Sequence, residues 1–283
     1  MPAFISRFLG FFLALSLPAC SPIQLYNAVS GGPGGQVQVV RDVSFGALER
    51  QKLDIYRPVD AGGSHPVVFF IYGGGWNDGG RGDYRFIGQS LARRGYLTVI
   101  ADYRLVPEVV FPTFLEDGAA ALAWVEDNIA QYGGDMSRLA LMGHSAGAYN
   151  AVMLATGPGY LDAAGFGGSI DAVVGLSGPY DFYPFDVAAS QNAFGQAPDP
   201  AMTQPVNLVT TTTPPMLLIH GTKDTTVMPR NTKALAETLR ANGVAVEEKY
   251  YEGWDHGATV TGLGGLFQSR LLDDVIGYLG TRL

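Results

Sequence analysis

The stretch around Ser145 constrains the fold of this chain more than any other. Residues 138–142 form a short apolar run that reads as a strand, residues 146–155 are rich in alanine with helical character, and Gly143-His144-Ser145-Ala146-Gly147 joins them. A G-x-S-x-G sequence between a strand and a helix puts the serine on a sharp corner. The backbone there must be strained for the hydroxyl to stand above the sheet. Side chains two residues to either side would collide with the neighbouring strand and helix, so glycine is needed at both positions. The Ala146 N–H then lies at a helix N-terminus, aimed at any negative charge developing beside Ser145.

The rest of the chain repeats the strand-then-helix rhythm. Residues 37–45 and 51–56 predict two early strands forming an antiparallel edge. Residues 66–72 and 96–101 are continuous apolar runs, the pattern of strands covered on both faces. Further strands are expected at 172–176, 215–220 and 244–251, with helices at 84–94, 114–132 and 231–241 and from about 266 to the end. Strands separated by helices imply βαβ units and a mostly parallel, doubly wound α/β sheet of about eight strands, forming one domain over 37–283. Residues 180–213, rich in proline, threonine and aromatic side chains, break the rhythm and predict a cap segment.

Composition narrows the function. The 283 residues are 47% hydrophobic and 16% charged, against an ordinary charged fraction of about 25%, which excludes a disordered chain. The 38 glycines and 17 prolines belong in turns between regular elements. A formal charge of −8 offers no cationic surface to nucleic acid or anionic lipid. With Cys20 as the single cysteine, an internal disulfide framework, a thiolate zinc site and an iron–sulfur cluster are excluded. No metal or cofactor is expected.

At the N-terminus, Arg7 precedes ten uncharged residues, 8–17, and then Leu17-Pro18-Ala19-Cys20. A charged start, a short apolar stretch and a small residue before a cut are the parts of a secretory signal, and ten residues are too few to span a bilayer. The ending resembles the bacterial lipoprotein box, although proline in the middle position departs from it. That resemblance implies an exported chain: a signal at 1–19, a lipid anchor on Cys20 and a tether over 20–36. By the same resemblance, Ser21 rather than an aspartate after the cysteine favours the outer membrane. Cleavage after Ala19 without lipidation and an uncleaved segment are the alternatives.

A serine hydroxyl needs a base. Of the four histidines, His65 precedes a strand, His144 sits inside the turn and His220 ends a buried apolar strand, so all three read as structural. His256, in Glu252-Gly-Trp-Asp-His-Gly257, lies between the last strand and the last helix, where a loop can bring it to Ser145. Asp224, just past the strand at 215–220, is the expected carboxylate orienting that imidazole. Asp255 and Glu252 are rivals by proximity, but a carboxylate so close in sequence usually points away, towards solvent or a cap. The chain order Ser145, Asp224, His256 is that of the α/β-hydrolase type. Tyr72-Gly73-Gly74-Gly75-Trp76 follows an earlier strand, and its glycine N–H groups can approach a carbonyl oxygen without a Cβ in the way. Gly73, Gly74 and Ala146 are therefore the candidate oxyanion donors. Trp76, Tyr180, Phe182, Tyr183 and Phe185 are candidates for lining the substrate site, with Trp76 and Tyr180 foremost; core packing is the competing role.

These residues resemble the α/β-hydrolase superfamily, and more narrowly the HGGG-type carboxylesterases, including hormone-sensitive-lipase-like and feruloyl/acetylxylan esterase-like proteins. The resemblance runs from about 53 to 256. It includes Asp102-Tyr-Arg-Leu105, Pro107-Glu-Val-Val-Phe-Pro112 and Tyr132-Gly-Gly-Asp135. One departure is Tyr72, where the family has histidine before the three glycines. The resemblance implies a serine esterase acting on a small-molecule ester, short-chain or carbohydrate-linked. An arylformamidase or serine peptidase of the same fold is one alternative. A catalytically silent surface binding protein is the other, and a complete nucleophile, base, acid and glycine set argues against it.

Overall fold

The computed structural model describes residues 22–30, 36–59, 63–264 and 270–283. Its strands are β1 (Val37–Ser44), β2 (Lys52–Pro58), β3 (His65–Ile71), β4 (Leu97–Ala101), β5 (Gly134–His144), β6 (Ala172–Leu176), β7 (Met216–Gly221) and β8 (Val246–Tyr251). They form one sheet in the order β1-β2-β4-β3-β5-β6-β7-β8. β1 pairs antiparallel with β2, and β2 with β4; every other neighbouring pair is parallel. The doubly wound α/β reading and the antiparallel edge therefore hold. Every residue of β4, β6 and β7 is buried, as continuous apolar runs in a sheet covered on both faces require.

The helices are α1 (Pro22–Ser30), α2 (Arg85–Ala92), α3 (Thr113–Asn128), α4 (Ala146–Thr156), α5 (Tyr160–Ala164), α6 (Ala188–Phe194), α7 (Arg230–Ala241), α8 (Ala258–Thr261) and α9 (Arg270–Leu279). β5 is longer than the expected 138–142, because Gly134 and Asp135 pair with His65 and Pro66 across a local register shift. Polar residues there mark a half-exposed strand start rather than the end of pairing.

The expected tether at 20–36 is corrected in its described part. Pro22–Ser30 is a helix docked on the domain. Asn27 Nδ2 donates to Gly82 O at 2.8 Å, and its Oδ1 accepts from Phe86 N at 3.3 Å. The Tyr26 ring meets Phe86 edge-on at 4.9 Å. Cys20 and the signal at 1–19 lie outside the described residues.

The segment 180–213 forms an ordered cover built from α6 and short 3-10 turns. Gln204 Oε1 accepts the N–H groups of Phe182 and Tyr183, and Asn231 Oδ1 those of Tyr180 and Asp181. The cover's Phe182 and Phe194 pack on Trp76 and Tyr149.

Candidate functional site

The C-terminal ends of β3, β5 and β7 and the loop after β8 converge on Ser145, which holds φ 56° and ψ −124° between β5 and α4. A non-glycine residue in this region is strained, and the strain persists only where its surroundings over-determine it. Here they do. A Cβ on Gly147 would lie 2.1 Å from Ile71 O, and one on Gly143 would lie 2.2 Å from Gly147 O. Ser145 N donates to Leu176 O at 2.8 Å, fixing the corner to β6.

His256 Nε2 lies 2.8 Å from Ser145 Oγ, and its Nδ1 lies 2.7 Å from Asp224 Oδ2. The carboxylate requires a proton on Nδ1, so Nε2 presents its lone pair to the serine hydroxyl. Asp224 Oδ1 accepts from the N–H groups of Thr226 and Val227, each at 2.9 Å. Burial alone would raise the Asp224 carboxyl, but hydrogen bonds from His220 and His256 outweigh it and hold the group well below the usual carboxylate range. The aspartate is a fixed anion beside the imidazole. The rival acids are engaged elsewhere or far out: Asp255 Oδ1 accepts from Ala258 N at the start of α8, and Glu252 is exposed.

Two other histidines brace this arrangement. His220 Nε2 is 2.8 Å from Val227 O and 3.2 Å from Asp224 Oδ2, so it carries the proton there, and Nδ1 accepts from Thr232 Oγ1. It therefore shares the oxygen that orients His256. His144 Nε2 meets His256 O at 3.0 Å, joined by Thr259 Oγ1 at 3.0 Å on the same carbonyl. Burial, followed by the nearby His256, pushes the His144 imidazole down to about 3, so it is a neutral strut. Sequence reasoning assigned both a structural place. What it missed is their contact with Asp224 and with the His256 loop, which depends on strand-end neighbours far apart in the chain.

Gly73 and Ala146 lie beside Ser145, and Gly74 lines the same cleft. A Cβ on Gly73 would lie 3.0 Å from Ser145 Cβ, and Ala146 opens α4. The loop turns sharply, with φ of 125° at Gly74, 58° at Gly75 and 61° at Trp76. Tyr72 explains how it is anchored without the family's histidine. The Tyr72 ring stacks between Tyr103, at 4.7 Å, and Tyr84, at 5.7 Å. Its hydroxyl accepts from Arg50 Nη2 at 2.9 Å, and the same guanidinium donates to Gly79 O and Tyr103 O, each at 2.8 Å. Arg81 ties the end of the loop to the sheet through Asp42, Asp54 and Asp102. Arg104 grips Asp117 through two side-chain hydrogen bonds of 2.8 Å, so the Asp102–Leu105 motif serves as scaffolding for the loop.

Two clefts meet at Ser145. The larger, about 650 Å³, is lined by Gly73, Gly74, Tyr84, His144, His256 and the first residues of α1. The smaller, about 310 Å³, is lined by Trp76, Ala146, Phe182, Val187 and Met228 among others. Trp76 is therefore at the site, its ring fixed by Nε1 donating to Asn150 Oδ1 at 3.1 Å. Tyr180 corrects the other foremost candidate. It is fully buried and lines neither cleft. Its hydroxyl is so close to Gly175 and Gly178 that a Cβ on either would collide with it. The aromatic count of 180–185 carried no information on which ring faces inward. Tyr183 is exposed and Phe182 is at the site. Among the described residues, no group of three or more His, Cys, Asp or Glu could hold a metal ion.

A nucleophile, a correctly protonated base, a fixed anion and backbone donors beside a dual cleft can carry acyl transfer. A family model described as BD-FAE matches residues 53–239. The chain is 32% identical over 77% of its length to "Probable isoprenylcysteine alpha-carbonyl methylesterase ICMEL1" of Oryza sativa subsp. japonica, covering 57% of that protein. It is 31% identical over 71% of its length to "Esterase LipC" of Mycobacterium tuberculosis, covering 55% of it. It thus spans just over half the length of these relatives. Among solved structures, a "Truncated form of carbohydrate esterase from gut microbiota" superposes with a TM-score of 0.78 at 22% identity. That match covers 88% of this chain and 97% of the other, a likeness of fold.

Proposed function

Because the chain belongs to the BD-FAE family, we propose that it is a serine carboxylic-ester hydrolase working through an acyl-enzyme on short-chain or carbohydrate-linked esters. The unbroken hydrogen-bond chain from Ser145 Oγ through His256 to Asp224 carries this reading. Ser145 Oγ attacks the ester carbonyl carbon while its proton passes to His256 Nε2. The carbonyl oxygen becomes an oxyanion held by N–H groups of Gly73, Gly74 and Ala146. The C–O bond to the alcohol then breaks, and His256 returns the proton to the departing oxygen. Water, deprotonated by His256 in the same manner, attacks the acyl-enzyme, releasing the acid and restoring Ser145.

His256 lines the larger cleft and not the smaller one. The leaving oxygen must receive its proton from Nε2, so the alcohol part occupies the larger cleft and the acyl chain the smaller. Trp76 and Phe182, their rings stacked at 6.3 Å, form part of the apolar wall of this 310 Å³ acyl-side space. The names of the relatives support ester hydrolysis as the reaction class. A series of p-nitrophenyl esters of increasing acyl length, with acetylated xylan and feruloyl esters alongside, tests the proposal. The highest kcat/KM is expected between acetyl and butyryl, and turnover confined to long-chain lipids would overturn it.

The proposal extends to location: export, and a lipid on Cys20 holding the enzyme at a bacterial, outer-membrane surface. The signal-like residues 1–19 and the Leu17–Cys20 box support it. Mass spectrometry of membrane-fractionated protein is expected to find a modified cysteine as the first residue. Unmodified protein confined to the soluble fraction would refute this.

A further inference from the structure

We infer that α1 forms a wall of the alcohol-side subsite, and that Ile23 and Gln24 set which leaving groups the enzyme accepts. The inference rests on the esterase reading above and on the direction of proton transfer, which assigns the larger cleft to the alcohol. Pro22, Ile23 and Gln24 line that cleft together with Gly73 and Gly74 of the oxyanion loop, and none of the three lines the smaller one.

The helix is held firmly enough to act as a wall. Gln24 hydrogen-bonds the carboxylate of Asp83, another lining residue of the same cleft. One turn further along, Asn27 closes two hydrogen bonds onto the segment 82–86, and Tyr26 packs on Phe86. Ile23 is half-buried, packed against the core, while Leu25 on the outer face is 63% exposed. The face that carries Ile23 is thus turned inward, and the helix contributes apolar surface where the alcohol part of an ester would lie. A short alcohol such as methanol leaves most of this 650 Å³ cleft unfilled, whereas a bulky one must meet the α1 wall. The family model matches residues 53–239, so α1 lies outside the matched segment.

The test uses the full chain and two ratios of kcat/KM, each referred to the wild type so that intrinsic leaving-group reactivity cancels. The alcohol ratio compares 1-naphthyl acetate with methyl acetate, and the acyl ratio compares ethyl butyrate with ethyl acetate. Ile23→Trp is expected to lower the alcohol ratio about tenfold, the scale on which an apolar pocket discriminates by size. Ile23→Ala, which takes up no space, is expected to raise it, and the acyl ratio should follow neither change. An acyl ratio that moves by the same factor would overturn the assignment of α1 to the alcohol side. Alcohol ratios unchanged in both variants would show that α1 only packs. Wild-type protein inactive on all four esters would instead overturn the esterase reading itself, so the two failures are distinguishable.

Discussion

Replacing Ser145 with alanine is expected to lower kcat/KM for p-nitrophenyl acetate by about 10⁴-fold or more, and to abolish labelling by a fluorophosphonate probe. Only the hydroxyl is lost. The corner is held by Gly143, Gly147 and the Ser145 N–H bond to Leu176 O, none of which involves Oγ. The variant should therefore fold with near wild-type stability, and alanine at φ 56° bears the same strain that serine already does. What remains is the oxyanion loop and the cleft, which hold substrate without a nucleophile. Ester turnover at the wild-type rate by this variant would remove Ser145 from the mechanism.

Asp224→Asn is the sharper probe, because it keeps shape and changes only which atom carries a proton. Oδ1 of asparagine can still accept from Thr226 and Val227 N–H. Nδ2 then faces His256 Nδ1 and must donate to it, which leaves the imidazole proton on Nε2, pointing at Ser145. A protonated Nε2 cannot accept the serine proton. The expected loss in kcat is about 10⁴-fold, with little change in KM. His220 faces the same position 3.2 Å away, where its Nε2–H would now meet an N–H donor. Some loss of stability should accompany the loss of rate, about 1–3 kcal/mol for the unsatisfied buried donor, read from urea unfolding. Full activity in the Asn variant would show that Asp224 does not orient the base.

Much of the candidate site was legible from local rules. The corner at Ser145 follows from two glycines and the change of period around them. His256 and Asp224 follow from each lying just past a strand end in the right chain order. The eight-stranded sheet follows from apolar runs separated by helical ones. Local rules failed where a residue's role depends on what it faces. Tyr180 and Phe182 are two residues apart in one aromatic segment, yet the first is locked in the core and the second reaches the cleft. Residues 22–30 carry no clear period, and their composition reads as a tether. They are helical because Asn27, Tyr26 and Gln24 find partners on the segment 82–86, more than fifty residues away.

The sequence by itself determined the fold class and pointed to Ser145, His256, Asp224 and the glycine loop as the candidate site, because each is written in residue type, short spacing or chain order. Only the tertiary structure decided how they are held. Asp224 shares one oxygen between two histidines, Arg50 anchors the loop through Tyr72 where the family has histidine, and the first residues of α1 line the larger cleft. These contacts join strand ends and loops far apart in the chain. They arise from the packing of loops at the ends of an open, doubly wound sheet, which no local pattern of hydrophobicity encodes.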